Sequence, residues 1–164
     1  MDDVIRTIHE AITKQDKSSA LPSLIVLCGD HGMSDAGSHG GASNSETVTP
    51  LVFISSAFRE VTDAAIPHVD EVQQIDVAPT LSLLMGLPIP QNSLGVAIST
   101  MLEHSLSTRQ QLRALQLNGH QLSRVLEQNV DTFESDEGYL AYQHALRLHS
   151  TWLSHVTSGS KLDA

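Results

Sequence analysis

Two short, continuous apolar runs constrain the fold of this chain more than any other feature. Residues 24–28 read Leu-Ile-Val-Leu-Cys, and residues 51–54 read Leu-Val-Phe-Ile. Short uninterrupted apolar runs are typical of strands that are buried on both faces, as in a parallel sheet covered by helices. The sequence therefore predicts a mostly parallel sheet in which the thiol of Cys28 is buried and unreactive.

Helical patterns surround these two runs. Residues 2–14 place apolar side chains at helical spacing, and residues 76–86 begin with an aspartate and end with a glycine. In the second of these helices we expect Asp76 to be the N-cap rather than a catalytic base. Residues 57–70 have a mixed pattern, typical of a loop or an edge element. From about residue 100 the pattern is helical, so we expect an α/β part followed by a helical tail.

Composition excludes several classes of protein. The 164 residues include 19 acidic and 9 basic side chains, which gives a formal net charge of -10. Without clustered cations to contact phosphates, we expect no nucleic-acid partner. The N-terminal residues lack the apolar core of a secretory signal, and no apolar stretch approaches the roughly 20 residues of a membrane-spanning helix. We therefore expect no targeting signal within this chain.

The segment between the two apolar runs, residues 29–49, contains the candidate functional site. It is rich in glycine, serine, aspartate and histidine, and a loop of this length in a compact domain is usually functional or disordered. Asp30 and His31 follow the first run directly, and His39 comes eight residues after His31 between glycine-containing segments. Ligand sites of open α/β sheets lie at the carboxyl ends of strands, where the sequence places these residues.

Asp30, His31 and His39 form a candidate metal-binding set. Carboxylate and imidazole groups suit zinc, and neighbouring glycines let a metal or a phosphate approach the backbone. Such ligands could serve a two-metal site for phosphoryl transfer. The alternative is that the aspartate and glycines only form turns and the histidines are solvated. Asp35, in the same loop, fits a turn better than a hydrogen bond to a metal ligand.

The motifs of this loop resemble those of a known family. Residues 27–33 read Leu-Cys-Gly-Asp-His-Gly-Met, residues 37–40 read Gly-Ser-His-Gly, and residues 49–51 read Thr-Pro-Leu. The combination resembles the metal-binding region of the alkaline phosphatase superfamily, and within it the GPI ethanolamine phosphate transferases. Residues 74–81, 86–90, 109–113 and 121–123 extend the resemblance over nearly the whole chain and favour the member that modifies the second mannose.

The resemblance implies a fold and an activity. The fold would be the C-terminal part of an alkaline phosphatase-like α/β/α sandwich followed by a helical tail. The enzyme would lie in the endoplasmic reticulum membrane with its catalytic domain in the lumen. It would move phosphoethanolamine from phosphatidylethanolamine to a mannose of the GPI glycolipid precursor, through a threonine nucleophile and two zinc ions or other divalent metals. Asp30 and His31 would ligate the ion that contacts the nucleophile, and His39 would ligate the other ion.

In this family the nucleophile and further metal ligands precede the motifs that this chain contains. The resemblance therefore predicts that residues 1–100 are part of a metal-binding core and residues 101–164 an extension towards a membrane region that this chain lacks. A small membrane-protein partner subunit would belong to the intact enzyme, and the chain alone would be inactive. Two alternatives remain open: another phosphodiesterase or hydrolase of the superfamily, and a non-catalytic fragment that binds a metal or a partner.

Overall fold

A computed structural model of the chain describes residues 2–58 and 71–157. The chain divides into two compact units, Met1–Ala64 and Ala65–Ala164. The first unit contains helix α1 (Asp2–Asp16), strand β1 (Ile25–Cys28), the one-turn helix α2 (Asn44–Thr47) and strand β2 (Leu51–Ile54). The second contains α3 (Val77–Leu84), α4 (Ser99–Ser105), α5 (Thr108–Asn129) and α6 (Glu137–Thr157), with 3-10 turns at Gln74–Asp76 and Phe133–Ser135. The predicted mixed α/β class with a helical C-terminal part is confirmed.

The two strands form an antiparallel sheet, in which Ile25 lies opposite Ile54 and Cys28 lies opposite Leu51. The predicted parallel arrangement is therefore wrong for this pair. A parallel pair needs a crossover, usually a helix, whereas the connecting residues 29–50, all of them described, form only the one-turn helix α2. The thiol of Cys28 is exposed, which also contradicts the prediction, because a two-stranded sheet is too small to bury both faces.

Helix α1 extends over the predicted residues and ends two residues later, at Asp16. The carboxylate of Asp16 accepts hydrogen bonds from the backbone N–H of Ser23 at 3.1 Å, from its hydroxyl at 2.7 Å and from the hydroxyl of Ser56 at 3.2 Å. These bonds favour the ionised carboxylate and lower the pKa of Asp16, with the Ser23 hydroxyl as the largest cause. One carboxylate thus joins the end of α1 to the segments that flank both strands.

In the second unit, two buried polar side chains hold the segment that precedes α4. Thr80 accepts a hydrogen bond from the N–H of Ile98 at 2.9 Å. Asn118 of α5 accepts one from the N–H of Ala97 at 2.8 Å and donates one to the carbonyl of Gly95 at 3.2 Å. The core around this segment consists of apolar side chains: Ala97, Leu102 and Ala114, with Leu83, Leu84 and Leu106 packed against them.

Asp76 precedes α3, but its side chain makes no capping bond to that helix. Its carboxylate instead accepts hydrogen bonds from the N–H of Val96 at 2.8 Å and from the N–H of Gln73 at 3.0 Å. Asp76 is therefore the N-cap residue by position, as predicted, but its carboxylate bonds the preceding 3-10 turn and a segment distant in sequence instead of the N–H groups of α3. Gly86, at φ 66°, lies just past the helix end as predicted.

The predicted helical tail is confirmed by α4, α5 and α6. Helix α3 packs against α4, so residues before and after position 100 belong to the same compact unit. The two units meet instead between residues 64 and 65. The functional division into residues 1–100 and 101–164 stays a prediction. Within residues 2–58 and 71–157, no helix is both long and apolar enough to cross a bilayer. The predicted loop or edge element at 57–70 lies outside the described residues from residue 59 onwards.

Candidate metal centre

Backbone hydrogen bonds hold the start of the candidate loop against the segment that leads into β2. The N–H of Gly29 donates to the carbonyl of Pro50 at 3.3 Å, and the N–H of Gly32 donates to the carbonyl of Glu46 at 2.8 Å. A β-carbon at Gly32 would lie 2.2 Å from the carbonyl oxygen of Ser45, so only glycine permits this approach. The two residues between these glycines are thus held close to the end of β1.

Asp30 and His31, which lie between those glycines, can face one metal ion together. The Nδ1 atom of His31 lies 2.7 Å from the carbonyl oxygen of Gly32, which assigns the ring proton to Nδ1 and leaves the lone pair on Nε2 available to a ligand. Nε2 lies 3.7 Å from Oδ2 of Asp30. Two ligand atoms on a tetrahedral zinc ion are about 3.3 Å apart, so the observed distance suits a shared ion.

The loop brings His39 against His31. The two imidazole rings are stacked, with centroids 4.8 Å apart and planes 12° apart. Because the lone pairs of the nitrogens lie in the ring planes, nearly parallel rings cannot direct both lone pairs at one ion. Each ring can serve its own ion, and paired ions in two-metal sites are about 3.5–4 Å apart, about 1 Å less than the separation of the ring centroids. The geometry is thus compatible with the predicted assignment of the two histidines to different ions.

A tight turn and two glycines position His39. The N–H of Gly37 donates to the carbonyl of Ser34, and the N–H of Ser34 donates to the carbonyl of Ser38, each at 2.9 Å. Gly37 has φ 80° and Gly40 has φ 88°, in the region that side-chain-bearing residues rarely adopt. Left-handed backbone on both sides of Ser38 and His39 turns the chain back, so the second imidazole stacks on the first.

The carboxylate of Glu46 holds the far end of the loop. Oε1 accepts a hydrogen bond from the N–H of Gly41 at 3.2 Å, and Oε2 accepts one from the hydroxyl of Ser43 at 2.5 Å. The Ser43 hydroxyl is the largest cause of a lowered pKa at Glu46, against a smaller opposing effect of burial. Our reading of the sequence missed this residue, although Ser43 and Glu46 have the spacing of a helix-capping pair.

These residues suit zinc chemically but supply only part of a coordination set. The side chain of Asp30 is 89% exposed and that of His31 is 42% exposed, so both are accessible to an ion. In the described parts of the chain, no three His, Cys, Asp or Glu side chains are arranged to hold one metal ion. Zinc takes four ligands, so a complete centre needs others beyond these. The side chain of Asp35 makes no hydrogen bond to any described residue.

Comparison with known proteins assigns the chain to a family. It is 46% identical over 153 residues to the Homo sapiens protein "GPI ethanolamine phosphate transferase 2, catalytic subunit", a match that covers 93% of the chain and 15% of the relative. It is 34% identical over 143 residues to the Schizosaccharomyces pombe GPI ethanolamine phosphate transferase 2, covering 82% of the chain and 19% of the relative. The chain belongs to the GPI ethanolamine phosphate transferase 2 family.

A third family member, from Candida albicans, is 33% identical over 168 residues, a match that covers 96% of the chain and 18% of that transferase. The chain thus spans less than a fifth of each of these GPI ethanolamine phosphate transferases. No protein-family model and no solved structure matches the chain. The family predicted from the loop motifs and the helical tail is confirmed, whereas the roles of Asp30, His31 and His39 stay predictions.

Proposed function

We propose that this chain is part of the catalytic domain of a phosphoethanolamine transferase of GPI-anchor biosynthesis. The reaction moves phosphoethanolamine from phosphatidylethanolamine to a mannose of the GPI precursor, the second mannose. The names of the related proteins support the activity. The observation that carries the proposal for these residues is the loop geometry, in which Asp30 approaches His31 and the ring of His39 stacks on that of His31.

In this proposal, Oδ2 of Asp30 and Nε2 of His31 hold one zinc ion, and the imidazole of His39 holds a second. Zinc, when bound, neutralises charge on phosphate oxygens and activates an oxygen nucleophile. The carbonyl of Gly32 keeps the proton of His31 on Nδ1, so Nε2 remains available to the metal. The glycines at 29 and 32 let this segment pack against Thr49 and Ser45, because a β-carbon would lie 2.0 Å from Oγ1 of Thr49 at the first position and 2.2 Å from the carbonyl oxygen of Ser45 at the second.

The proposal also assigns this domain to the lumenal side of the endoplasmic reticulum membrane. Membrane-spanning segments, the threonine nucleophile and the remaining metal ligands come from parts of the protein outside this chain, and a small membrane-protein subunit is its partner. Because three ligands cannot complete two zinc sites, the chain alone has no transferase activity.

The test measures transfer of labelled phosphoethanolamine to the GPI precursor by the full-length protein that contains this chain. In microsomes from cells without the endogenous enzyme, Asp30→Ala and His39→Ala should each lower turnover at least about a hundredfold, because each removes a metal ligand. His9→Ala removes an exposed imidazole from α1 and is the matched control, with turnover unchanged.

Three results contradict the proposal: the first concerns the assigned residues, and the other two indicate a different function. Unchanged transfer in the Asp30 and His39 variants would remove these residues from the metal centre. Release of free phosphoethanolamine to water, without a glycolipid product, would identify a hydrolase of the same superfamily. Binding of zinc without either reaction would identify a non-catalytic module.

A further inference from the structure

The candidate loop has two arms, one that carries His31 and one that carries His39. Glu46 contacts each arm through different atoms. Its backbone carbonyl accepts the hydrogen bond from the N–H of Gly32, which follows His31 directly, at 2.8 Å. Its carboxylate accepts the hydrogen bond from the N–H of Gly41, two residues after His39, at 3.2 Å. A single residue therefore joins the arm that carries the first imidazole to the arm that carries the second.

The carboxylate is itself held in place. The hydroxyl of Ser43 donates to Oε2 at 2.5 Å, which leaves Oε1 directed at Gly41. The approach is close, because a β-carbon on Gly41 would lie 2.4 Å from Oε2 of Glu46. Gly40, at φ 88°, lets the chain turn between His39 and this anchor. The Ser34–Ser38 turn holds the residues before His39, and the Glu46 carboxylate holds the chain after it.

We propose that Glu46 is a positioning residue that sets the separation of the imidazoles of His31 and His39, and with it the spacing of two bound divalent cations. This inference rests on the proposed two-metal function. It also predicts an asymmetry, because the arm of His31 is held by the backbone of Glu46 and the arm of His39 by its side chain. Removal of the side chain should therefore weaken binding of the ion assigned to His39 and leave binding of the ion assigned to Asp30 and His31 nearly unchanged.

A carboxylate near a metal site can also act by its charge alone, and three variants separate charge from position. Glu46→Ala removes both. Glu46→Gln removes the charge but keeps an oxygen that can accept from Gly41 and an amide that can donate to the hydroxyl of Ser43. Asp35→Asn removes one negative charge from the same loop at a side chain without a hydrogen bond to the described residues.

The experiment titrates the metal-free, full-length protein with Zn²⁺ and measures the affinity of each ion, with the zinc–zinc distance from X-ray absorption of the loaded protein. Glu46→Ala should lower the affinity for the ion assigned to His39, the second ion, about ten- to a hundredfold, as is usual for groups that orient metal ligands. The affinity for the ion assigned to Asp30 and His31, the first ion, should stay within about threefold of that of the unaltered protein. Glu46→Gln should restore most of the second affinity and the unaltered zinc–zinc distance. Asp35→Asn should bind both ions normally.

Ser43→Ala supplies a milder variant if Glu46→Ala does not fold, because it removes only the hydroxyl that orients Oε2. It should also lower the affinity for the second ion, but by less than Glu46→Ala does. Equal affinities and distance in Glu46→Ala and the unaltered protein would overturn the inference, as would a Glu46→Gln variant as weak as Glu46→Ala. An unaltered protein that binds fewer than two zinc ions would instead overturn the proposed function, and this inference with it.

Discussion

The candidate loop of the first unit and residues 91–98 of the second are both irregular segments held by hydrogen bonds, but they are held in opposite ways. In the second unit the anchoring side chains, Thr80 and Asn118, are buried and their polar atoms are paired. In the loop, Asp30 and His31 are exposed, and the anchoring groups are glycines, backbone groups and the half-buried carboxylate of Glu46. The difference separates a segment built for stability from one whose side chains stay available to a ligand.

The largest expected effect is in the second unit, where the anchoring side chain of Asn118 is buried. Asn118→Ala leaves the N–H of Ala97 and the carbonyl of Gly95 without their partner in the core, and such losses cost about 1–3 kcal/mol for each buried group. We expect the free energy of unfolding to fall by about 3 kcal/mol, measured by urea denaturation of the purified chain. Asn129→Ala, which removes an exposed amide, is the control. Similar losses in both variants would show that the buried hydrogen bonds of Asn118 do not stabilise the second unit more than an exposed amide does.

An intermediate effect is expected where the loop depends on close backbone approach. In Gly32→Ala the new β-carbon would lie 2.2 Å from the carbonyl oxygen of Ser45, so the loop must move, at a cost of about 1–3 kcal/mol. Gly40→Ala meets no atom within 4 Å but is strained at φ 88°, which costs about 1 kcal/mol. Thermal melting compares the two. Equal melting temperatures for Gly32→Ala and the unaltered chain would show that the Gly32 contact is not maintained in solution.

The smallest effect is expected at Asp16, where a half-buried carboxylate anchors the first unit. Its folded-state pKa is lowered, so its contribution to stability is present above the unfolded-state pKa and is lost as the pH falls through the folded-state pKa. Melting temperatures measured between about pH 6 and pH 2 should therefore fall less steeply in Ser23→Ala than in the unaltered chain. Parallel pH profiles would show that the hydrogen bonds from Ser23 do not favour the ionised form.

The elements that the sequence predicts well are those with a local physical cause. The apolar spacing of α1, the glycine after α3 and the periodic stripes of α5 and α6 each reflect neighbouring residues, and the structure contains these elements. The loop motifs, together with the later runs and the helical tail, also predicted the family, which is confirmed. The sequence did not predict what depends on residues distant along the chain. The direction of strand pairing, the exposure of Cys28 and the use of the Asp76 carboxylate by Val96 are of this kind.

The sequence by itself determined which residue types stand in the loop, and hence the prediction that Asp30, His31 and His39 bind metal, and it determined the family to which the chain belongs. Only the tertiary structure decided how these residues meet. The stacking of the two imidazoles depends on backbone torsions at Gly37 and Gly40, which a residue pattern does not encode. The two arms of the loop are joined through Glu46, because the folded chain brings its carbonyl to the N–H of Gly32 and its carboxylate to the N–H of Gly41.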